Sequence, residues 1–338
     1  MHDFCHTYTD LVLDNVLLVT NGKGGVGKTS LVANLAGLAA EAGWSVLAVD
    51  LDPQGNLARD LGYLDRSDGG QGLLAAVLLD QELSVVEGVR PLGAAGGAGR
   101  PESGRTGAGQ LDVIAGGPQV ARLSDQLGIE VARSGPAGYG RLAEVIGALA
   151  PAYDLVVCDL PPGEGAIGRA AMRMGRFVLV PTPPDDAGID GLGRVFAELQ
   201  LASADNPGLE VLGVVLTLVV SGASAVERRA RADLEVLLGD QVKVFEHTIR
   251  FAQAAAVACR GSGLLADEYA ARAASATPWY RARAEGQPIE RYSSAAAGLA
   301  EDYRLLAAEV LVELAGRLGI TKPASPAGVP GKAREAVG

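Results

Sequence analysis

Seven short segments of this 338-residue chain, at 16–20, 45–50, 111–115, 154–158, 177–180, 211–219 and 242–249, are almost unbroken runs of apolar, often β-branched residues, with helical patterns between them. A strand that is apolar at nearly every position has both faces covered, the condition of a parallel sheet packed between helices. Connectivity predicts the same: parallel neighbours need a crossover, and the intervening helices supply it. The expected fold is therefore α/β, a three-layer, doubly wound and mostly parallel sheet with helices on both faces. With 48% hydrophobic residues the chain has ample material for such a core.

Several stretches lie outside this pattern. Residues 1–14 predict a frayed terminus, and residues 88–110, dense in Gly, Ala and Arg, predict a flexible surface excursion within one domain spanning 15–318. Leu299, Tyr303, Leu306, Val310 and Leu314 recur at three- and four-residue spacing, so the final helix should pack one face on the core. The Pro/Ala/Gly-rich tail 319–338 has little to bury and predicts disorder.

The first apolar run leads into Asn21-Gly22-Lys23-Gly24-Gly25-Val26-Gly27-Lys28-Thr29-Ser30 and then a helical run at 31–42. Strand, glycine loop and helix in that order, with G-x-x-x-x-G-K-[ST] over 22–29, make a phosphate-binding loop. Its glycines let backbone N–H groups turn inward around phosphates at a helix N-terminus. Lys28 neutralises the β and γ oxygens, and the Thr29 hydroxyl is a ligand for Mg²⁺. The candidate nucleotide contacts are thus Gly22, Lys23, Gly24, Gly25, Val26, Gly27, Lys28, Thr29 and Ser30. The second run ends in Asp50-Leu51-Asp52-Pro53-Gln54-Gly55-Asn56, two acids at the carboxyl end of a strand, where open α/β sheets bind ligands. The fourth ends in Cys158-Asp159-Leu160-Pro161-Pro162-Gly163; Asp159 is placed to hold Mg²⁺ through water, and Cys158 reads as a small buried hydrophobe.

K-G-G-V-G-K-T at 23–29, V-D-L-D-P-Q-G-N at 49–56 and D-L-P-P at 159–162 together resemble the ParA/MinD superfamily of deviant Walker A ATPases, and among them the ParA (Soj) partition ATPases. The resemblance covers roughly residues 15–315. It implies an ATP- and Mg²⁺-dependent ATPase of low basal rate that dimerises when ATP is bound. Lys23 then reaches the partner subunit's phosphates, Asp52 positions the attacking water and Asp50 supports the Mg²⁺ shell. It also implies non-specific DNA binding, a ParB-like partner, and a role in plasmid or chromosome segregation from a cytoplasmic, nucleoid-associated position. The 261–287 segment is longer than the superfamily usually shows there. Basic residues of the C-terminal region serve DNA binding in such proteins. The candidates here are Arg228, Arg229, Arg231 and Arg250, the first three on a helical stretch whose apolar face carries Val226, Ala230, Leu234 and Leu237.

Composition narrows the alternatives. A formal net charge of −11 means that any DNA contact must come from a local basic patch. Three widely spaced cysteines build neither a disulfide framework nor an iron–sulfur site, unlike the nitrogenase-type relatives, and His2, Cys5 and His6 lack a fourth metal ligand. Apolar stretches such as 211–220 are shorter than the roughly 20 residues of a membrane span, and no leader pattern precedes them. A MinD-like spatial regulator, the alternative within the superfamily, would end in a basic amphipathic helix. The prolines at 323, 326 and 330 argue against one. A ParA-like protein that positions a non-DNA cargo is the other alternative.

Overall fold

The computed structural model describes residues 12–89, 109–163, 165–277, 279–286, 288 and 291–321. Among the described residues six parallel strands, β1 (Leu13–Val19), β2 (Ser45–Asp50), β3 (Gln110–Ile114), β4 (Leu155–Asp159), β5 (Gly175–Thr182) and β6 (Glu210–Leu216), form one sheet in the order β3-β2-β4-β1-β5-β6. Between and after them run the helices α1 (Lys28–Glu41), α2 (Leu57–Asp60), α3 (Gln71–Leu79), α4 (Pro118–Ser134), α5 (Gly140–Leu149), α6 (Ala166–Met174), α7 (Asp186–Asp205), α8 (Ser224–Leu238), α9 (Gln253–Ser262), α10 (Ala266–Ser275), α11 (Trp279–Ala284) and α12 (Ala296–Leu318). The expected three-layer α/β architecture is the one observed.

Strand alternation divides the core in two. Leu17, Val19, Val46 and Val157 face a layer built by α1, α9 and α12, while Val16, Leu18, Val156 and Cys158 face one built by α4 to α8. Each strand interior is buried on both sides, which explains the unbroken apolar runs. The predicted inner face of the last helix is buried in full: Leu299, Tyr303, Leu306, Val310 and Leu314 all join the first layer. Gly37 lets α1 approach the C-terminal region closely, since a Cβ there would sit 2.2 Å from Leu265 Cδ1.

Three expectations need correction. β1 already begins at Leu13, inside the stretch read as frayed; residues 1–11 lie outside those described. The segment 242–249 is extended but is not a seventh strand. It touches the sheet at two isolated parallel bridges, Val214 to Val244 and Val219 to Arg250, and Phe245 anchors it by filling the space beside Gly213. The excursion 88–110 is tied down at its beginning, where the Val89 N–H donates to the Leu111 carbonyl next to the Val86–Val113 antiparallel bridge; residues 90–108 lie outside those described. The tail expected to be disordered likewise falls outside from residue 322 on.

Connectivity places the site. From β1 the chain crosses by α1 to β2 on one side, and from β4 it crosses by α6 to β5 on the other, so the direction of winding reverses between β1 and β4. A crevice opens at the carboxyl ends of strands at such a switch point. Register makes those ends level, with Val19 paired to Asp159 and Asp159 to Asp50.

Because the ring of Phe245 is fully buried and holds the 242–250 segment over β6, Phe245→Ala should lower unfolding free energy by about 3–5 kcal/mol, read from the midpoint of a denaturant titration. A loss below about 1 kcal/mol would mean that the segment is held by its backbone bridges alone.

Candidate functional site

The loop between β1 and α1 wraps a helix N-terminus. Gly25 and Gly27 have φ of 77° and 86°, the left-handed region that glycine enters without strain, and Lys28 opens α1. The Lys28 side chain is buried and folds back over the loop, its Nζ donating to the carbonyls of Lys23 at 3.1 Å and Asn21 at 3.3 Å. Two side chains outside the predicted set shape this loop. Asn21 Nδ2 donates to the Pro181 carbonyl at 2.6 Å, and its Oδ1 accepts from the Lys23 N–H at 2.8 Å, so the loop is pinned to β5. Thr217, beyond the end of β6, donates its hydroxyl to the Val26 carbonyl at 2.9 Å. Asn21 was legible as a polar residue immediately before the motif. Thr217 was not, because a contact 191 residues away in sequence leaves no local signal.

Beneath the loop four carboxylates are buried: Asp50, Asp52, Asp60 and Asp159. Asp50 turns the following loop on itself, accepting from the N–H groups of Asp52 at 3.0 Å and Leu57 at 3.3 Å, while Asp52 accepts from the Gln54 N–H at 2.8 Å. Burial, then the neighbouring Asp159, pushes the Asp50 carboxyl well above its ordinary range. Asp159 is pushed up to about 7, again by burial first, with Asp52 and Asp60 adding to it against the pull of the Thr29 hydroxyl and Lys28. Lys28 is shifted in the opposite sense, its pKa lowered because desolvation outweighs the attraction of Asp159 and Asp52. Carboxylates that resist ionisation beside a lysine that is costly to charge mark a site whose electrostatics are unbalanced without a cation.

The geometry fits Mg²⁺ in particular. Both oxygens of Asp159 are buried without a hydrogen-bond partner of normal geometry, and the nearest donor set consists of hard oxygens, the Thr29 hydroxyl among them. No three His, Cys, Asp or Glu side chains converge as a closed cage among the described residues. That suits an ion held by one or two side chains together with phosphate oxygens and water. Cys158 is fully buried, with its thiol pushed up by burial and then by Asp159, as expected of an inert apolar filler.

A cleft of about 660 Å³ leads away from the loop. It is lined by polar residues including Thr29, Asp52, Asn56 and Arg260 and by apolar ones including Leu218 and Phe251, the mixture a nucleotide requires. Lys23 lies at the rim, 3.6 Å from Asp185, and both side chains are about half exposed.

The arginine candidates do not gather into a patch. Arg231 pairs with Glu227 and donates to the carbonyls of Phe245 and Glu246. Arg229 is shared between Asp186 and Asp233. Arg250 grips Asp302 with two hydrogen bonds of 2.6 and 2.8 Å and lines the cleft. Only Arg228 of the four is exposed with no ion pair among the described residues. The expected apolar face of α8 is also shorter than its spacing suggested: Ala230 and Leu234 are buried, but Val226 and Leu237 are both 49% exposed.

A phosphate loop at the switch point of a parallel sheet, with a buried lysine and an orphaned acid at the neighbouring strand end, defines a P-loop nucleotide-binding protein. Sequence comparison identifies the family: residues 17–263 match the CobQ/CobB/MinD/ParA nucleotide binding domain, and the chain belongs to that family. Among curated proteins it is 30% identical over 244 residues to the chromosome-partitioning ATPase Soj of Thermus thermophilus, covering 70% of this chain and 83% of that one. It is 27% identical over 234 residues to the sporulation initiation inhibitor protein Soj of Bacillus subtilis, covering 69% and 80%. Solved structures share the fold. The Pyrococcus horikoshii septum site-determining protein MinD with Mg-ADP aligns with TM-score 0.57 at 21% identity, covering 88% of this chain and 95% of that one. An ATP complex of a Cyanothece McdA variant aligns with TM-score 0.62 at 19% identity, covering 92% and 98%.

Thr217→Val keeps the side chain's shape but removes the hydroxyl that holds the Val26 carbonyl. A lost buried hydrogen bond of this kind is worth about 1–3 kcal/mol, so nucleotide affinity should fall about tenfold, measured by titration with a fluorescent ADP. Affinity equal to wild type would show that the loop is set without β6.

Proposed function

We propose that this protein is a partition-type ATPase that dimerises on binding ATP, associates with DNA without sequence preference, and is stimulated to hydrolyse ATP by a ParB-like partner. The observation that carries the reading is the pair of lysines in one loop. Lys28 is buried against the phosphate cradle, whereas Lys23 stands at its rim on a half-exposed contact with Asp185. An exposed ion pair of that kind contributes only about 0–1 kcal/mol, so Lys23 is readily released toward the phosphates of a second subunit.

In this mechanism Lys28 and the backbone N–H groups of 25–29 bind and orient the phosphates, Thr29 and Asp159 would hold Mg²⁺, and Asp50 would support them. Bound there, the ion neutralises charge on the β and γ oxygens. Asp52 projects into the same cleft and orients the water for attack on the γ-phosphorus; little covalent work is left to the protein, and positioning supplies most of the rate. DNA would be held through phosphate contacts by exposed arginines, of which Arg228 is the candidate least engaged elsewhere. The reading follows the kinship with the Soj and ParA proteins named for chromosome partitioning.

Lys23→Gln should abolish the dimer seen by size-exclusion chromatography with a slowly hydrolysed ATP analogue, while leaving the affinity for ADP within about twofold. A persisting dimer would refute the trans role of Lys23.

Asp52→Ala should keep ATP bound but lower single-turnover hydrolysis about a hundredfold, the scale set by loss of a positioned acid–base group. The trapped dimer should stay on random-sequence DNA and be released steeply as salt rises, as phosphate contacts require. Wild-type decay of bound ATP would move the water-positioning role elsewhere.

A further inference from the structure

Beside the nucleotide cleft lies a charged hydrogen-bonded group that the motifs do not include, a buried acid paired with a partly exposed arginine. Asp60, the last residue of α2, is buried. One of its oxygens accepts from the Ser30 hydroxyl at 2.7 Å and the other from Arg260 Nε at 2.6 Å, while Arg260 Nη2 reaches Asp60 at 3.3 Å and Ser30 at 3.4 Å. Ser30 follows Thr29 in the phosphate loop, α2 follows the Asp50–Asp52 loop, and Arg260 comes from α9, 200 residues beyond Asp60. Three parts of the chain therefore meet in a single hydrogen-bonded group, two members of which, Ser30 and Arg260, line the cleft.

The packing around this group reinforces it. Gly62 and Gly263, both with positive φ, bring the ends of α2 and α9 into backbone contact: a Cβ on Gly62 would lie 2.6 Å from the Gly263 carbonyl oxygen, and one on Gly263 would lie 2.7 Å from Gly62 Cα. Asn34 on α1 donates to the Ser30 carbonyl at 2.8 Å and accepts from the Ala266 N–H at 3.0 Å. Leu57, one turn before Asp60, donates its N–H to Asp50. A displacement of α2 is thus transmitted directly to the carboxylate loop carrying Asp50 and Asp52. The contact is also one of charge, because Arg260 is the cation paired with the buried Asp60 carboxylate, at 2.6 Å.

We infer that Arg260 is a positioning residue of this ATPase: docked on Asp60 and Ser30, it fixes α2 against the phosphate loop and so sets the Asp50–Asp52 loop for hydrolysis. The inference rests on the proposed ATPase reaction and assigns to the C-terminal part of the chain an indirect hold, through Asp60 and α2, on the loop of the water-positioning acid. Arg260 does not touch the reacting atoms in this assignment; it acts through Asp60 and Ser30.

The test compares wild type, Arg260→Gln, Arg260→Lys, Asp60→Asn and the double variant Asp60→Asn/Arg260→Gln in the full-length protein, with fluorescent ADP affinity and single-turnover ATP hydrolysis measured on each. Wild type must hydrolyse ATP; failure there would overturn the proposed reaction rather than this inference. Arg260→Gln should hydrolyse bound ATP more slowly by about tenfold or more, beyond any change in its ADP affinity, the range expected when a supporting partner of a catalytic group is lost. Arg260→Lys should recover part of the rate. The double variant removes both charges and so leaves no buried acid unpaired; it should stay as slow as Arg260→Gln, since what is lost is the link itself. Recovery of the wild-type rate in the double variant would show that an uncompensated Asp60 charge caused the defect, and a wild-type rate in Arg260→Gln would show that the link does not set the loop. Either result overturns the proposal.

Discussion

Four carboxylates buried under one phosphate loop, with Lys28 and Arg260 as the cations nearest to them, are the constraint on which this molecule turns. Burying an acid without a full set of partners is expensive, and here the expense is concentrated where Asp50 and Asp159 stand level at adjoining strand ends. The surrounding architecture limits how far that region can relax. Asp50 and Asp159 close strands buried on both faces, Asp50 and Asp52 are satisfied in part by N–H groups of their own loop, and Asp60 is held by an arginine from another helix. The two oxygens of Asp159 remain without a hydrogen-bond partner of normal geometry, and they are the part of the site that a hard cation would satisfy.

The same constraint explains why the C-terminal third of the chain is wrapped around the first. α1 carries the phosphate loop, and the layer that covers it is built largely from α9, α10 and α12. Leu265 fits against Gly37, Ala266 is hydrogen-bonded to Asn34, and Arg260 and Tyr303 flank the cleft. On the opposite face of the sheet, α4 to α8 pack more conventionally and leave the nucleotide cleft alone. The asymmetry assigns different work to the two layers: one shapes the site, while the other carries α7, whose N-cap Asp185 meets Lys23.

Surface charge follows a different logic. The arginines of α8 stand at helix positions that read as an open basic face, yet two of the three on that helix are occupied by acids nearby in sequence or in space, and Arg250 is consumed by Asp302. A count of cations on a helical wheel leaves out the acids that tertiary packing brings to it, and in a chain with a net charge of −11 there are many such acids.

The sheet, the helical cover on both faces, the phosphate loop and the two strand-end acids are all legible along the chain, because each is encoded within a dozen contiguous residues: periodicity, glycine spacing, and acids at the ends of apolar runs. So is the inner face of the last helix, whose regular spacing is a local property of one element. Only the tertiary structure decided that 242–249 bridges to the sheet edge without becoming a strand, that Thr217 holds the phosphate loop from the far end of β6, and that Arg260 closes on Asp60. These depend on which distant segments lie side by side, and hydrogen bonds made across some 200 residues leave no periodic trace in the chain that makes them.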